Sequence, residues 1–139
     1  MKNVLCNALL LLGLTSNVMV QAESNPFFGK YKTPFETPPF DKIKTEHYEP
    51  AFKRGIAELK ADIEKIANNS EPATFENTIV ALDRSGELLN RVSGAFFNVL
   101  SANANDEMME ISQRISPDLT ESSNNIYLNE KLFARVKAG

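Results

Sequence analysis

The sequence predicts an all-α protein in which an extended arm, rich in proline and aromatic residues, precedes a set of antiparallel helices. From residue 48 onward, apolar residues recur roughly every three or four positions, which is the period of one helix face. Four of the seven prolines lie between residues 26 and 39, where they prevent a continuous helix. We therefore divide the chain into residues 1–22, an arm at 23–47 and a helical region at 48–139.

Residues 1–22 are predicted to form a removable signal peptide. A short basic start containing Lys2 precedes an apolar run from Val4 to Leu14, and small or moderately small residues at −3 (Val20) and −1 provide a cleavage site after Ala22. The run is shorter than the roughly 20 apolar residues that span a bilayer. We expect an exported protein, periplasmic or secreted, whose mature form is not held in a membrane. The single cysteine, Cys6, lies in this segment, so the mature chain would lack a disulfide and a thiolate nucleophile.

The arm combines its prolines with five aromatic residues, which a solvated linker would not need. We expect extended or polyproline-like backbone whose rings dock on the helical body. A proline-rich segment that binds a partner domain is the alternative. The aromatic residues of the arm are Phe27, Phe28, Tyr31, Phe35 and Phe40.

Two helices are expected in the first half of the helical region. The first begins near Pro50, a favourable residue for a first helical turn, and ends at residues 68–72. The second is predicted as one long helix from about Thr74 to Leu100, capped by Thr74 or Asn77 and weakened in its middle by Gly86. The apolar stripe of the first helix comprises Phe52, Ile56, Leu59, Ile63 and Ile66.

Two more helices are expected near the C-terminus. Asn105 or Asp106 can cap the third, and Pro117 inside its apolar pattern predicts a kink or a break. Asn129 can cap the fourth, which reaches Gly139 after about two turns. Its apolar residues have little following chain with which to form a core, so we expect that the chain is truncated there. The stripe of the third helix comprises Met108, Ile111, Ile115 and Leu119.

His47 is the only histidine and lies between Glu46 and Glu49, just before the first helix. Such a histidine could act as a general base or bind a metal, oriented by a neighbouring carboxylate. The alternative is a residue at the helix start that hydrogen-bonds to backbone and packs beside Tyr48. We favour the alternative because a zinc site needs about three or four ligands and no second histidine is present.

Other candidate groups have simpler interpretations. Glu107 and Glu110 share a helix face as paired carboxylates would, but at a helix start they are more simply surface charges favoured by the helix dipole. Met108 and Met109 could form a soft ligand pair, although core filling by one and exposure of the other is the simpler interpretation. Residues 68–70 match a glycosylation sequon, which matters only in a eukaryotic secretory route.

The sequence therefore predicts no catalytic, cofactor-binding or metal-ligating residue in this chain. It contains no Walker loop, GxGxxG, GxSxG or CxxC. With 15 basic and 18 acidic residues the net charge is −3, which argues against nucleic acid or an anionic membrane as a partner.

An ordered set of segments resembles the thimet-oligopeptidase-like zinc metallopeptidases, most of all their peptidyl-dipeptidase (dipeptidyl carboxypeptidase) branch. The set covers nearly all of the chain after the signal segment. Its members are PFDKIKTEHYEPAF at 39–52, IANN at 66–69, PATFENTI at 72–79, LDRSGELL at 82–89, SGAFFNVL at 93–100 and IYLNEKLFARV at 126–136.

The resemblance implies a large, nearly all-helical enzyme whose N-terminal region walls a channel for short peptides. Zinc bound by a downstream HExxH helix and a later glutamate would activate water for attack on the peptide bond. This chain has no HExxH, since its one histidine is followed by Tyr48 and Glu49. We therefore expect an incomplete, non-catalytic part of a larger helical peptidase fold. Zinc and short peptides would belong to the full-length enzyme, and its missing catalytic region is a candidate partner.

A hypothesis of another class is a self-sufficient secreted helical module without enzymatic activity. Its apolar helix stripes would bind a partner protein. A natural stop codon together with abundant folded protein in the exporting cell would favour this module. A sharp, high-temperature, two-state melt of the monomer would count against a truncated peptidase, which should expose stripes meant for absent helices.

Overall fold

The computed structural model describes residues 25–139, so the predicted signal peptide at 1–22 lies outside the described residues. In the described part every regular element is helical and no strand is present, which confirms the all-α prediction. None of its helices is both long enough and apolar enough to cross a membrane. The α-helices are α1 at Tyr48–Ala67, α2 at Ala81–Asp83, α3 at Glu87–Asn103, α4 at Asp106–Tyr127 and α5 at Glu130–Ala138.

The arm docks on the helices through its first aromatic residues only. Phe27 is fully buried, and Phe28 and Tyr31 pack at the edge of the same core. Phe40 is about half exposed, and Phe35, which has a left-handed backbone with φ 58°, is fully exposed. The prediction that the rings dock is therefore wrong for the second half of the arm. Three short 3-10 turns shape this segment, at Pro26–Phe28, Pro34–Glu36 and Thr45–His47.

Arg91 of α3 ties the arm to the helices. Its Nη2 donates to the carbonyl of Phe27 at 3.3 Å, and its Nη1 donates to the carbonyl of Gly29 at 3.4 Å. The guanidinium carbon lies 5.2 Å from the ring centroid of Tyr31, within cation–π range. One side chain thus satisfies two carbonyls of a segment that has no helical partner for them.

Helices α1 and α3 pack antiparallel and in close contact. Phe52 meets Phe96 edge to face, with ring centroids 5.3 Å apart. One turn further along α1, the buried Gly55 faces the backbone of Leu89, earlier in α3. Because Gly55 has no Cβ, the two backbones can approach to a distance that a larger residue would prevent.

The main core lies between the arm, α1, α3 and α4. Tyr48 connects its parts, with its ring centroid 5.5 Å from that of Phe27 and 5.0 Å from that of Phe96. Burial raises the pKa of the Tyr48 phenol, so it stays protonated at neutral pH. From α4, Met108 is buried in this core while Met109 is about half exposed, which confirms the predicted division between the two.

The prediction of one long helix from Thr74 to Leu100 is wrong. The predicted cap is present, since Thr74 Oγ1 accepts from the Asn77 N–H at 3.1 Å, but a π-helical turn at Phe75–Val80 and the short α2 follow it. The chain then turns at Gly86, whose φ of 68° is left-handed, before α3 begins. A left-handed residue ends a right-handed helix, and glycine adopts that conformation without a steric penalty.

Of the kink or break predicted at Pro117, the break is wrong, because α4 continues for ten residues beyond Pro117 to Tyr127. Proline removes one backbone N–H and thereby leaves the carbonyl of Gln113 without its helical partner. Both residues are exposed, so water can satisfy that carbonyl. The predicted cap is present, since Asn105 Oδ1 accepts from the Met108 N–H at 2.8 Å.

Helix α5 is fastened to α1 and to the loop after α1. Asn129 caps it as predicted, and Leu132 is buried in a second, smaller cluster with α1 residues. Arg135 Nη1 donates to the carbonyls of Asn69 at 2.8 Å and Glu71 at 2.9 Å. Even this short helix therefore contributes a buried contact.

Candidate functional site

His47 serves the backbone at the start of α1. Its Nδ1 accepts from the Lys44 N–H at 3.0 Å, and its carbonyl accepts from Asn25 Nδ2 at 2.9 Å. The first contact occupies one of the two ring nitrogens. Neighbouring Glu46 is exposed and lies 4.0 Å from the Lys44 ammonium. This arrangement closes the turn into α1 and joins the arm to it.

Glu49 forms the charged contact between α1 and α4. Its Oε1 accepts from Lys53 Nζ at 2.9 Å, and its Oε2 accepts from Arg114 Nη2 at 3.0 Å and Nε at 3.1 Å. The hydrogen bond from Lys53, followed by those from Arg114, lowers the pKa of Glu49 below its ordinary value. A carboxylate held ionised in this way is suited to joining two helices and not to accepting a proton near neutral pH.

The remaining candidate groups do not converge on one another. Glu107 is exposed at the start of α4, and Glu110 lies 3.6 Å from Arg114 on the same helix. The Asn68 amide of the sequon donates to the Glu64 carbonyl and accepts from Lys131 Nζ, each at 2.9 Å. Among residues 25–139, no group of three or more histidine, cysteine or acidic side chains is placed to hold a metal ion.

A groove of about 550 Å³ lies between α1 and α4, and we name it the α1–α4 groove. The two helices run in the same direction: they meet where Glu49 pairs with Arg114 and then flank the groove, which ends at Asn129 before α5. The apolar floor comprises Ile56, Leu59, Ile63 and Ile126.

The two edges of the α1–α4 groove differ in charge. The α1 edge has two lysines and one glutamate, whereas the charged residues of the α4 edge are both acidic. No ion pair of the described residues joins Lys53 or Lys60 to the α4 edge. These edge side chains are exposed, so they lack the buried, converging polar groups that orient a small ligand. The charged residues are Lys53, Lys60 and Glu64 on α1, and Asp118 and Glu121 on α4.

The chain is similar to curated bacterial peptidases. It is 46% identical over 114 residues to dipeptidyl carboxypeptidase of Escherichia coli, a match that covers 82% of this chain and 17% of that protein. It is 43% identical over 115 residues to dipeptidyl carboxypeptidase of Salmonella typhimurium, covering 83% and 17%. Oligopeptidase A of E. coli is 30% identical over 101 residues, covering 73% and 15%. The chain belongs to the dipeptidyl carboxypeptidase and oligopeptidase A family.

This membership confirms the family resemblance. The match to each dipeptidyl carboxypeptidase spans 17% of the curated protein, so this member represents a small part of such a peptidase. No family model matches the chain.

The α1–α4 groove is the feature of the described residues that the sequence did not predict. The sequence predicts an apolar stripe on α1, but nothing in it shows that α4 lies beside that stripe and leaves it partly open.

Proposed function

We propose that the chain is the N-terminal, non-catalytic part of an exported zinc peptidyl-dipeptidase. The full-length enzyme would release dipeptides from the C-termini of short peptides. The observation that carries this proposal is the 46% identity over 114 residues to a protein named dipeptidyl carboxypeptidase. The resemblance of the sequence segments to that branch supports the same assignment.

Residues 25–139 do not fit a zinc site. The single histidine, His47, already accepts a backbone hydrogen bond through Nδ1, and the described residues provide no group of further ligands around it. Zinc in proteins is held by about three or four converging ligands. The metal and the HExxH chemistry would therefore belong to the catalytic remainder of the enzyme, and this chain would contribute helical framework beside the peptide channel.

A pair of assays tests the non-catalytic assignment. The chain alone, incubated with zinc and a short blocked peptide, is expected to release no dipeptide and to retain no stoichiometric zinc after gel filtration. A chimaera of E. coli dipeptidyl carboxypeptidase, in which this chain replaces the matching 114 residues, is expected to release dipeptides. One-to-one zinc and dipeptide release by the chain alone would contradict the proposal, as would an inactive but folded chimaera.

Export is tested by expressing the complete 139-residue sequence and fractionating the cells. We expect periplasmic material whose first residue is Glu23, because Val20 and Ala22 place small or moderately small residues at −3 and −1 before it. A variant with Ala22→Asp should retain its first residues, since the signal peptidase requires a small residue there. Material that begins at Met1 and stays in the cytoplasm would contradict this part of the proposal.

A further inference from the structure

We propose that the α1–α4 groove binds an amphipathic helix from the catalytic remainder of the same peptidase. This inference rests on the proposed function, because its partner is the part of the enzyme that lies outside the 17% matched by this chain. It goes beyond that function by naming the docking surface and the chemistry of the segment that covers it.

The first argument is the apolar floor. Ile56 and Leu59 on α1 and Ile126 on α4 are only partly buried, although each packs against one or both core clusters. Together they line an open trough of about 550 Å³. A helix that places apolar side chains at intervals of about three and four residues along this trough would remove that surface from water.

The second argument is the charge of the edges. Two lysines and one glutamate border the α1 side of the floor, which is positive overall, and two carboxylates border the α4 side. A matching helix would present acidic residues toward α1 and basic residues toward α4, flanking its apolar stripe. Such an arrangement fixes both the position and the direction of the bound helix.

The third argument concerns which protein covers the groove. Twofold pairing of two copies would set a concave surface against an identical concave surface, which leaves the floor unfilled. The curated relatives, by contrast, contain about six times the length that this chain matches. The groove also ends at Asn129, where α5 begins, and α5 exposes Phe133 and Val136. The helix that directly follows the groove in the chain therefore also has apolar side chains that no described residue covers.

Thiol accessibility tests this docking. Ser122 lines the groove, whereas its neighbour Ser123 is exposed outside it. Two variants are made, Ser122→Cys and Ser123→Cys, and both also contain Cys6→Ser so that the chain has one thiol. Each variant is studied as the free chain and within the chimaera that contains the E. coli catalytic remainder. Alkylation at each position is followed by peptide mass mapping. We expect Ser122→Cys to react at least about tenfold more slowly in the chimaera than in the free chain, and Ser123→Cys to change by less than about threefold.

The possible outcomes separate the two proposals. Equal alkylation of Ser122→Cys in the free chain and in an active chimaera overturns the groove inference and leaves the proposed function intact. If alkylation of Ser123→Cys slows in the chimaera as much as that of Ser122→Cys, the inference is also overturned, because the protection would then extend beyond the groove. Protection of Ser122→Cys in a free chain that sediments as a dimer assigns the groove to a second copy. A folded chimaera without activity counts against the proposed function, whatever the alkylation rates.

A charge reversal gives an independent readout. Lys60→Glu places a carboxylate on the α1 edge, while Lys65→Glu makes the same change on α1 outside the groove. Lys60→Glu should lower the thermal midpoint of the chimaera more than Lys65→Glu does, and the two should be equivalent in the free chain. Equal midpoints for the two variants in the chimaera would overturn the proposed charge pattern of the bound helix.

Discussion

Gly55→Ala is expected to destabilise the chain even though alanine is the better helix former. A Cβ at Gly55 would lie 2.9 Å from both the backbone N and the Cα of Leu89, closer than real Cβ contacts allow. These are backbone atoms of α3, so relief requires α1 and α3 to move apart. Overpacking of this kind costs about 1–3 kcal/mol, and the gain in helix propensity offsets about 0.5–1 kcal/mol. We expect a net loss of about 1 kcal/mol in the free energy of unfolding.

Gly94→Ala is the matched control, because it makes the same change in α3 where nothing lies within 4 Å of the added Cβ. It should stabilise the chain by about 0.5–1 kcal/mol. Urea unfolding followed by far-UV circular dichroism measures both variants, and their difference isolates the steric cost of about 1–3 kcal/mol. Equal changes in the two variants would refute the idea that Gly55 is required by the close approach of the helices.

Three further predictions concern stability. Arg114→Met should lower the free energy of unfolding by about 0.2–1 kcal/mol at neutral pH. Because the pKa of Glu49 is lowered in the folded chain, the difference from the unchanged chain should shrink as pH falls through that lowered pKa. Urea midpoints that differ by the same amount at every pH would refute this. Phe27→Ala should cost about 3–5 kcal/mol because the ring is fully buried, whereas Phe35→Ala should change the thermal midpoint little; equal losses would refute docking of the arm. Gly86→Ala should cost about 1–2 kcal/mol because its φ of 68° disfavours a Cβ, and a raised midpoint would refute this.

The helical class and the buried faces were predictable because each rests on a local pattern. Met108, Ile111 and Ile115 recur with the helical period, and all three are buried in the main core. The caps at Asn105 and Asn129 followed from the ability of their short side chains to accept from the N–H groups three residues on. Such features depend on neighbours along the chain, so the sequence contains them directly.

The errors arose where tertiary contacts decide between two locally acceptable conformations. Gly86 can occupy the middle of a long helix at a modest cost in stability, or it can end a helix by adopting a left-handed backbone conformation. The sequence alone does not distinguish the two. In the fold the Gly86 N–H faces Asp62 Oδ2 at 3.4 Å, a contact with α1 that favours the turn. At Pro117 the local pattern favoured a kink or a break, but the helix continues. Pro117 and Gln113 are exposed, so water can satisfy the Gln113 carbonyl that the proline leaves without a partner.

The α1–α4 groove could not be predicted because an apolar stripe has the same sequence signature whether a neighbour covers it fully or in part. Ile63 and Ile56 belong to one stripe of α1, yet the first is buried and the second is partly exposed. The difference comes from α5, whose Leu132 joins Ile63 in the smaller buried cluster, whereas Ile56 lies further back along the open groove beside α4. This chain matches 17% of each dipeptidyl carboxypeptidase, so a residue pattern along it cannot show which of its faces the proposed catalytic remainder would cover.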